Sequence, residues 1–357
     1  MDDAALRAER LRSHRLSAPA TTVLAAARHM GAVQSQEFWG GRWALAVRSR
    51  GVVGLRDVDG AFDRGRLVRS WTQRGTIHIC AAEDLGWMLR LTAERQRRLA
   101  AGRLRQLGLD DEVLREAERV VRGALRGGDR LDRAAVAQVW EAAGIDTAGQ
   151  RGIHVLQVLS WRGVLCHGPV VRRAAGITRE QYLVLCEDWI TDAAAPADPV
   201  TELFVRFIEG HGPATAGDFA WWSGLPVTAC RAAAEAAGDR VRVIDGERDP
   251  LYVSRGRPRV QADAPSVVAL PAFDEYYLPY LDRGRVCAVP HQSLVGPGAN
   301  GMVSPLILAD GVVAGRWTHS RAVGRRETAR AEMFGIPPVP DEAVAAALDR
   351  YAAFVAA

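Results

Sequence analysis

Apolar and polar positions along this chain repeat one order of elements three times: helix, helix, turn, helix, then a two-stranded hairpin. The second copy is the clearest. Val113, Leu114, Ala117, Val120, Val121 and Leu125 fall on one side of a helix predicted over Asp111–Arg126. Asp132 caps a second helix, Arg133–Ala143, which Gly144 ends. Gln150–Trp161 is the third, and Gly163 breaks it. Val164–Cys166 and Val170–Arg172 then form a hairpin across Gly168-Pro169.

The third copy keeps the order. Val200–Glu209 is a helix, Thr215 caps a short one ending at Trp222, and Val227–Ala237 follows the tight turn Gly224-Leu225-Pro226. Val241–Ile244 and Leu251–Val253 make its hairpin, with Asp245-Gly246 as turn signal. The first copy is less regular. Helices are predicted at Pro19–Met30 (after Ser17), Phe38–Arg48 and Leu55–Phe62, strands at Leu67–Thr72 and Thr76–Cys80, and a further helix at Glu83–Thr92. Helix-turn-helix plus hairpin is the winged-helix plan, which can seat one helix in the major groove. Beyond about residue 256 strands dominate: Val267–Pro271, Val286–Val289, Val303–Leu308 and Val312–Trp317, with a closing helix Asp341–Ala353. The expected fold is α+β. Three tandem winged-helix motifs occupy 1–105, 106–195 and 196–256, and a small β-rich domain occupies 257–357.

Composition narrows the function. The 357 residues are 48% hydrophobic and 25% charged, a globular balance. No apolar run is long enough to span a bilayer and the N-terminus lacks a signal pattern, so a cytoplasmic, nucleoid-associated protein without membrane contact is expected. Cys80, Cys166, Cys186, Cys230 and Cys287 form no CxxC pair and read as reduced thiols. The eight histidines lack metal-ligand spacing, so neither metal nor cofactor is expected. All 46 basic residues are arginine, and with no lysine side chain a Schiff-base enzyme is excluded unless the N-terminal amine serves. Net charge is only +4, but it is uneven. Arg90, Arg95, Arg97, Arg98, Arg103 and Arg105 face one acid, Glu94, and Arg255, Arg257 and Arg259 face none. Such patches suit a polyanion.

Candidate chemistry lies in a few places. Gln34-Ser35-Gln36 follows an apolar helix. Amides do not titrate, but they hold a water by hydrogen bonds. Arg74, Thr76 and His78 alternate along the first wing and so share a face. Asp274, just past a strand end, can accept a proton from water. Its neighbour Glu275 reads as a capping acid in a turn. Gly296–Gly301 matches GxGxxG, but a strand follows it and Pro297 lies inside it, so a hairpin tip around Gly298 is expected rather than a dinucleotide loop. Trp161, Trp221 and Trp222 read as core. Trp39, Trp43 and Trp71 lie near the glutamines and are candidates for shaping a pocket.

Four segments together resemble the bacterial DNA glycosylases related to AlkZ and YcaQ. They are Val33–Gln36, Arg69–His78, Gly217–Leu225 and Leu270–Tyr276. The resemblance covers nearly the whole chain. It implies tandem winged helices around a basic concave channel, and cleavage of the N-glycosidic bond of alkylated purines, chiefly N7-alkylguanine. Crosslink unhooking and self-resistance to DNA-alkylating antibiotics occur in the family. Its catalytic motif is Gln-x-Gln in AlkZ-like members and Gln-x-Asp in YcaQ-like ones, so Gln34 and Gln36 place this chain with the former.

On this reading Gln34 and Gln36 hold the water at C1′ and Asp274 is a further catalytic candidate. Arg48, Arg69, Trp43, Arg74, Thr76, His78, Arg255, Arg257 and Gly298 contact DNA. The expected partner is double-stranded DNA carrying an alkylated purine, bound by a monomer. The product is an abasic site. A transcriptional regulator that binds DNA without chemistry is the rival reading, and a drug-sequestering protein a third.

Overall fold

Helix starts in this protein are set by side chains that accept otherwise orphaned backbone N–H groups. In the computed structural model, Asp2 accepts from Ala5 N at 2.8 Å and opens helix α1 (Asp3–Ser13). Thr22, not Ser17, caps α2 (Val23–Met30), accepting from Ala25 N at 3.1 Å, and Gly31 at φ 71° stops it. Strand β1 (Ala32–Gln34) follows, then α3 (Phe38–Val47) and α4 (Leu55–Asp63). The structure describes residues 1–356 except 173–177, 245, 247–248, 257, 263, 299–300 and 321–326. The chain packs as two units, Met1–Val58 with Val200–Ala357, and Asp59–Pro199.

The second unit takes in the end of α4 from Asp59 and then β2 (Leu67–Trp71) and β3 (Ile77–Ala81), antiparallel with Leu67 opposite Ala81 and Trp71 opposite Ile77. Their turn is tight. Arg74 and Gly75 both have positive φ, 54° and 72°, and Thr76 N donates to Gln73 O at 3.1 Å. Arg74 and Thr76 therefore sit in the turn and not on the strand, so they do not alternate with His78 along one face. Helix α5 (Leu85–Gln106) runs well past the predicted stop at Thr92. Ala93, Ala100 and Leu104 keep an inward apolar line, and arginine, a good helix former, fills the outward positions.

Helices α6 (Asp111–Leu125), α7 (Arg133–Ala142) and α8 (Arg151–Trp161) match the predicted second copy within a residue. Asp110 and Asp132 accept from Val113 N and Ala135 N, both at 2.9 Å. Leu114, Val121, Val136, Trp140, Val155 and Leu159 form this unit's core. The hairpin differs from prediction. Gly168-Pro169 does not turn the chain but lies inside β4 (Leu165–Val170), whose partner is β5 (Gln181–Leu185). A register shift between His167 and Val170 accommodates the proline, and a Cβ on Gly168 would meet Val184 at 2.9 Å. The unit closes with α9 (Cys186–Trp189), and its strand order is β3-β2-β4-β5.

The first unit resumes with α10 (Pro199–His211), α11 (Ala216–Ser223) and α12 (Val227–Ala236). Thr215 and Asp218 form a reciprocal capping box at the start of α11. The hairpin β6 (Val241–Ile244) and β7 (Leu251–Ser254) pairs as predicted, although Asp245 of its turn is outside the described residues. Next come β8 (Val267–Leu270), α13 (Val289–Val295), β9 (Leu306–Ala309), β10 (Val312–Ser320), β11 (Glu327–Met333) and α14 (Asp341–Ala356). The last four strands form an antiparallel sheet in the order β11-β10-β9-β8. The predicted strand at Val286–Val289 is instead a turn leading into α13, where Pro290 takes a first-turn position that lacks a hydrogen-bond acceptor anyway.

Two indoles fix β8. Trp43 Nε1 donates to Ala269 O at 2.8 Å and Trp317 Nε1 donates to Leu270 O at 2.7 Å. Trp43 also packs against Tyr351 and Phe354 of α14. Gly40 lets α3 approach the chain after β8, since a Cβ there would lie 3.3 Å from Pro271 Cβ. Segments more than two hundred residues apart in sequence are thereby held side by side.

Burial holds three histidines neutral. Desolvation, with the nearby charge of Arg15, lowers His29 to about 3. Desolvation with Arg69 lowers His167 to about 3, and burial carries His14 well below its usual 6.5. Below 6.5 the unfolded chain takes up protons that these folded groups refuse. Their contribution is thus complete above about 6.5 and is lost as pH falls toward 3. Stability measured by urea unfolding should fall between pH 6.5 and 5, where ordinary carboxylates do not yet titrate, by up to about 1.4 kcal/mol per pH unit per histidine. A flat profile over that window would contradict it.

Candidate active site

The end of β1 exposes one glutamine and withholds its neighbour. Gln34 is 7% exposed, Ser35 is buried, and Gln36 faces solvent just before α3. Behind them lies Glu275, with none of its surface exposed. Its Oε1 accepts the Gln34 backbone N–H at 2.9 Å. Its Oε2 accepts Trp222 Nε1–H at 2.9 Å and faces His211 Nε2 at 3.3 Å. A carboxylate removed from water needs donors in place of hydration, and these come from β1, α10 and α11.

His211 is itself boxed in. Its Nδ1 lies 3.1 Å from Phe207 O, its ring stacks on Phe207 at 4.7 Å, and its carbonyl accepts the Tyr280 hydroxyl at 2.6 Å. Tyr280 takes its second bond from His14 Nε2 at 2.7 Å, and Arg10 lies over the Tyr280 ring at 3.5 Å. Burial pushes the Tyr280 hydroxyl far above its ordinary range, so it stays a donor. The site thus rests on a dry polar network with fixed directions.

Asp274 has a different role from the one expected. Its two oxygens take Arg48 NH2 at 2.7 Å and NH1 at 2.9 Å, and Tyr276 N adds a third bond at 2.8 Å. Both side chains of the ion pair are fully buried. A carboxylate engaged by a guanidinium and sealed from solvent is not a base for an attacking water, so Asp274 is a structural ion-pair partner and not the expected catalytic residue. Arg48 likewise does not reach DNA, because its guanidinium is given to Asp274 and to Ala44 O. Trp43 is 2% exposed and belongs to the core. So do Trp39 and, by its packing on the second unit's core, Trp71. Phe273 makes the arrangement of the two acids possible. It adopts φ 60°, costly for an aromatic residue, and the kink lets consecutive carboxylates face different partners.

The remaining predicted contacts fall elsewhere. In the second unit, Arg69, Arg74 and Thr76 are half-buried. His78 is fully buried, with Nδ1 at 2.9 Å from Thr72 Oγ1, so it stabilises its own hairpin and is not a DNA contact. In the first unit, Gly298 is exposed at the end of a short turn. Arg255 is exposed and pairs with Asp239 at 2.7 Å. Arg257 is outside the described residues.

Residues 27–354 match the family described as DNA glycosylase AlkZ-like. An interstrand DNA cross-link repair glycosylase of Streptomyces sahachiroi is 29% identical over 266 residues, which are 70% of each chain. The solved structure of Streptomyces sahachiroi DNA glycosylase AlkZ superposes with a TM-score of 0.79 at 22% identity, covering all of this chain and 97% of that one. That structure shares the mixed α and β fold. The chain belongs to the AlkZ-like DNA glycosylases. It is a hydrolase of N-glycosidic bonds, which decides between an enzyme and a DNA-binding regulator.

Three of the four segments that carried the resemblance meet at one carboxylate: the glutamine strand, the Trp-Trp helix and the Phe-Asp-Glu turn. By local sequence Glu275 is a capping acid and Trp222 a core residue, and no motif marks His211. The signal available was the motifs themselves, whose convergence only the fold supplies.

Two substitutions separate the acids. Asp274→Asn should lower stability by several kcal/mol, about 3–5 for a broken buried pair, while the folded fraction keeps its single-turnover rate. A dead but fully stable variant would restore Asp274 as a base. Glu275→Ala leaves two N–H donors and a ring nitrogen without their acceptor, and should cost at least about 3 kcal/mol in urea unfolding. A loss under about 1 kcal/mol would show that Glu275 is dispensable.

Proposed function

We propose that this enzyme removes alkylated purines, chiefly N7-alkylguanine, from double-stranded DNA and leaves an abasic site. Alkylation at N7 gives the base a positive charge, so it departs with little protonation. What the enzyme must supply is a placed water and an environment for the cationic sugar. Gln34 and Gln36 hold that water at C1′. Neutral amides suit the task because they direct a water without changing charge as the sugar turns cationic. The observation that carries this reading is the Gln34 backbone bond to fully buried Glu275, beside exposed Gln36. A strand end held from behind, with Gln36 open to solvent, supports that reading.

Element order supports reading 1–105, 106–195 and 196–256 as winged helices followed by a β-rich domain at 257–357. The runs α6-α7-α8-β4-β5 and α10-α11-α12-β6-β7 follow that plan. Arg69, Arg74, Thr76, Arg255 and Gly298 remain the proposed DNA contacts, and the enzyme acts as a monomer. The Streptomyces relative bears the name of a crosslink repair enzyme. Crosslinked duplexes are therefore the second substrate class to assay, with resistance to a DNA-alkylating natural product the corresponding role in the cell.

With methylated duplex, the wild type should release 7-methylguanine without nicking the strand, since the chain has no lysine side chain to form an imine. Gln34→Ala combined with Gln36→Ala should lower single-turnover release by about 10²-fold or more, with duplex affinity retained. Full release by the double variant would defeat the proposal.

A further inference from the structure

Helix α5 carries its arginines differently from its neighbour. On α6, Arg119 and Arg122 are paired with Glu116 at 2.5 Å and Glu118 at 3.0 Å. On α5, only Arg98 finds an acid among the described residues, Glu94 at 3.1 Å, and Arg103 binds the amides of Gln106 and Gln150. Arg90, Arg97 and Arg105 are exposed and make no ion pair or hydrogen bond among the described residues. At about 100° per residue these three fall within a sector of roughly 80°, spread over about 22 Å of helix; Glu94 lies inside that sector but is paired with Arg98, and Arg95, also exposed, lies outside it. Ala93, Ala100 and Leu104, centred about 80° around the helix from the stripe, pack on the core, so the stripe lies on the exposed flank beside the buried line. Gly102 on the exposed side has open space where a side chain would be.

Like charges gathered on one helix face are mutually destabilising. Their cost is offset when a polyanion supplies the counter-charges. Guanidinium forks match phosphate oxygens two at a time. The whole helix, at about 33 Å, is as long as one turn of B-DNA. We propose that Arg90, Arg97 and Arg105 of α5 form a phosphate-gripping stripe for duplex DNA, independent of base sequence. Its function is to raise residence on DNA, and the bond-breaking chemistry does not pass through it. The inference takes DNA as partner from the glycosylase reading but not the roles of Gln34 and Gln36.

The test compares Arg90→Gln/Arg97→Gln/Arg105→Gln with Arg119→Gln/Arg122→Gln, which removes paired arginines of α6. Fluorescence anisotropy on an undamaged duplex gives affinity against salt, and thermal unfolding confirms that both variants fold. Each lost phosphate contact should lower the slope of log K against log salt by about 0.9, so the α5 variant should lose roughly 2–3 units. Its single-turnover base release at saturating enzyme should stay at the wild-type rate, and the α6 variant should keep its slope. An unchanged α5 slope, an equal fall in the α6 variant, or a loss confined to single-stranded RNA would each overturn the stripe. A fall in slope in an enzyme that releases no base would defeat the catalytic reading and leave the stripe standing.

Discussion

A single carboxylate, buried where water cannot hydrate it, holds the candidate active site in place. Glu275 receives the backbone of Gln34, the indole of Trp222 and a nitrogen of His211. An ionised group in such a place survives only while its donors stay in position. The first unit must therefore bring residues before 58 against residues beyond 200, although the whole second unit intervenes in sequence. Trp43 on Ala269 O and the Arg48–Asp274 pair brace the same junction from either side.

The two acids after β8 divide the work that one was expected to do. Asp274 closes an ion pair and Glu275 anchors the glutamine strand, and the left-handed Phe273 separates their directions. Neither touches the reacting atoms on this account. On the proposed function the chemistry is left to the amides, which suffices for a leaving base that already carries the charge an acid would otherwise have to supply. Glu275 is then a positioning residue. It acts through the main chain of Gln34.

Much of the fold was legible because its signals are local. Thr215, Asp132 and Asp110 begin helices, Gly31 and Gly224 end them, and the β6–β7 register follows from alternation. The failures are equally physical. Gly168-Pro169 looks like a turn, but a bulge and the close approach of Val184 place it inside a strand. Valines at 286 and 289 looked like a strand, yet Pro290 starts a helix. Arg48, Trp43 and His78 looked like DNA contacts because they are polar or aromatic residues in the right segments. Their partners are supplied by the fold, and for Arg48 and Trp43 they lie more than two hundred residues away. The exchange of roles between Asp274 and Glu275 has the same cause.

The central claim is that Glu275 serves catalysis only by holding Gln34. A double-mutant cycle on single-turnover base release, pairing Glu275→Gln with Gln34→Ala, addresses it directly. Each single variant should slow release, and the double should be no slower than Gln34→Ala alone, because the held side chain is already gone. Losses that add in the double variant would mean that Glu275 acts on the substrate by another route, and the account would be wrong.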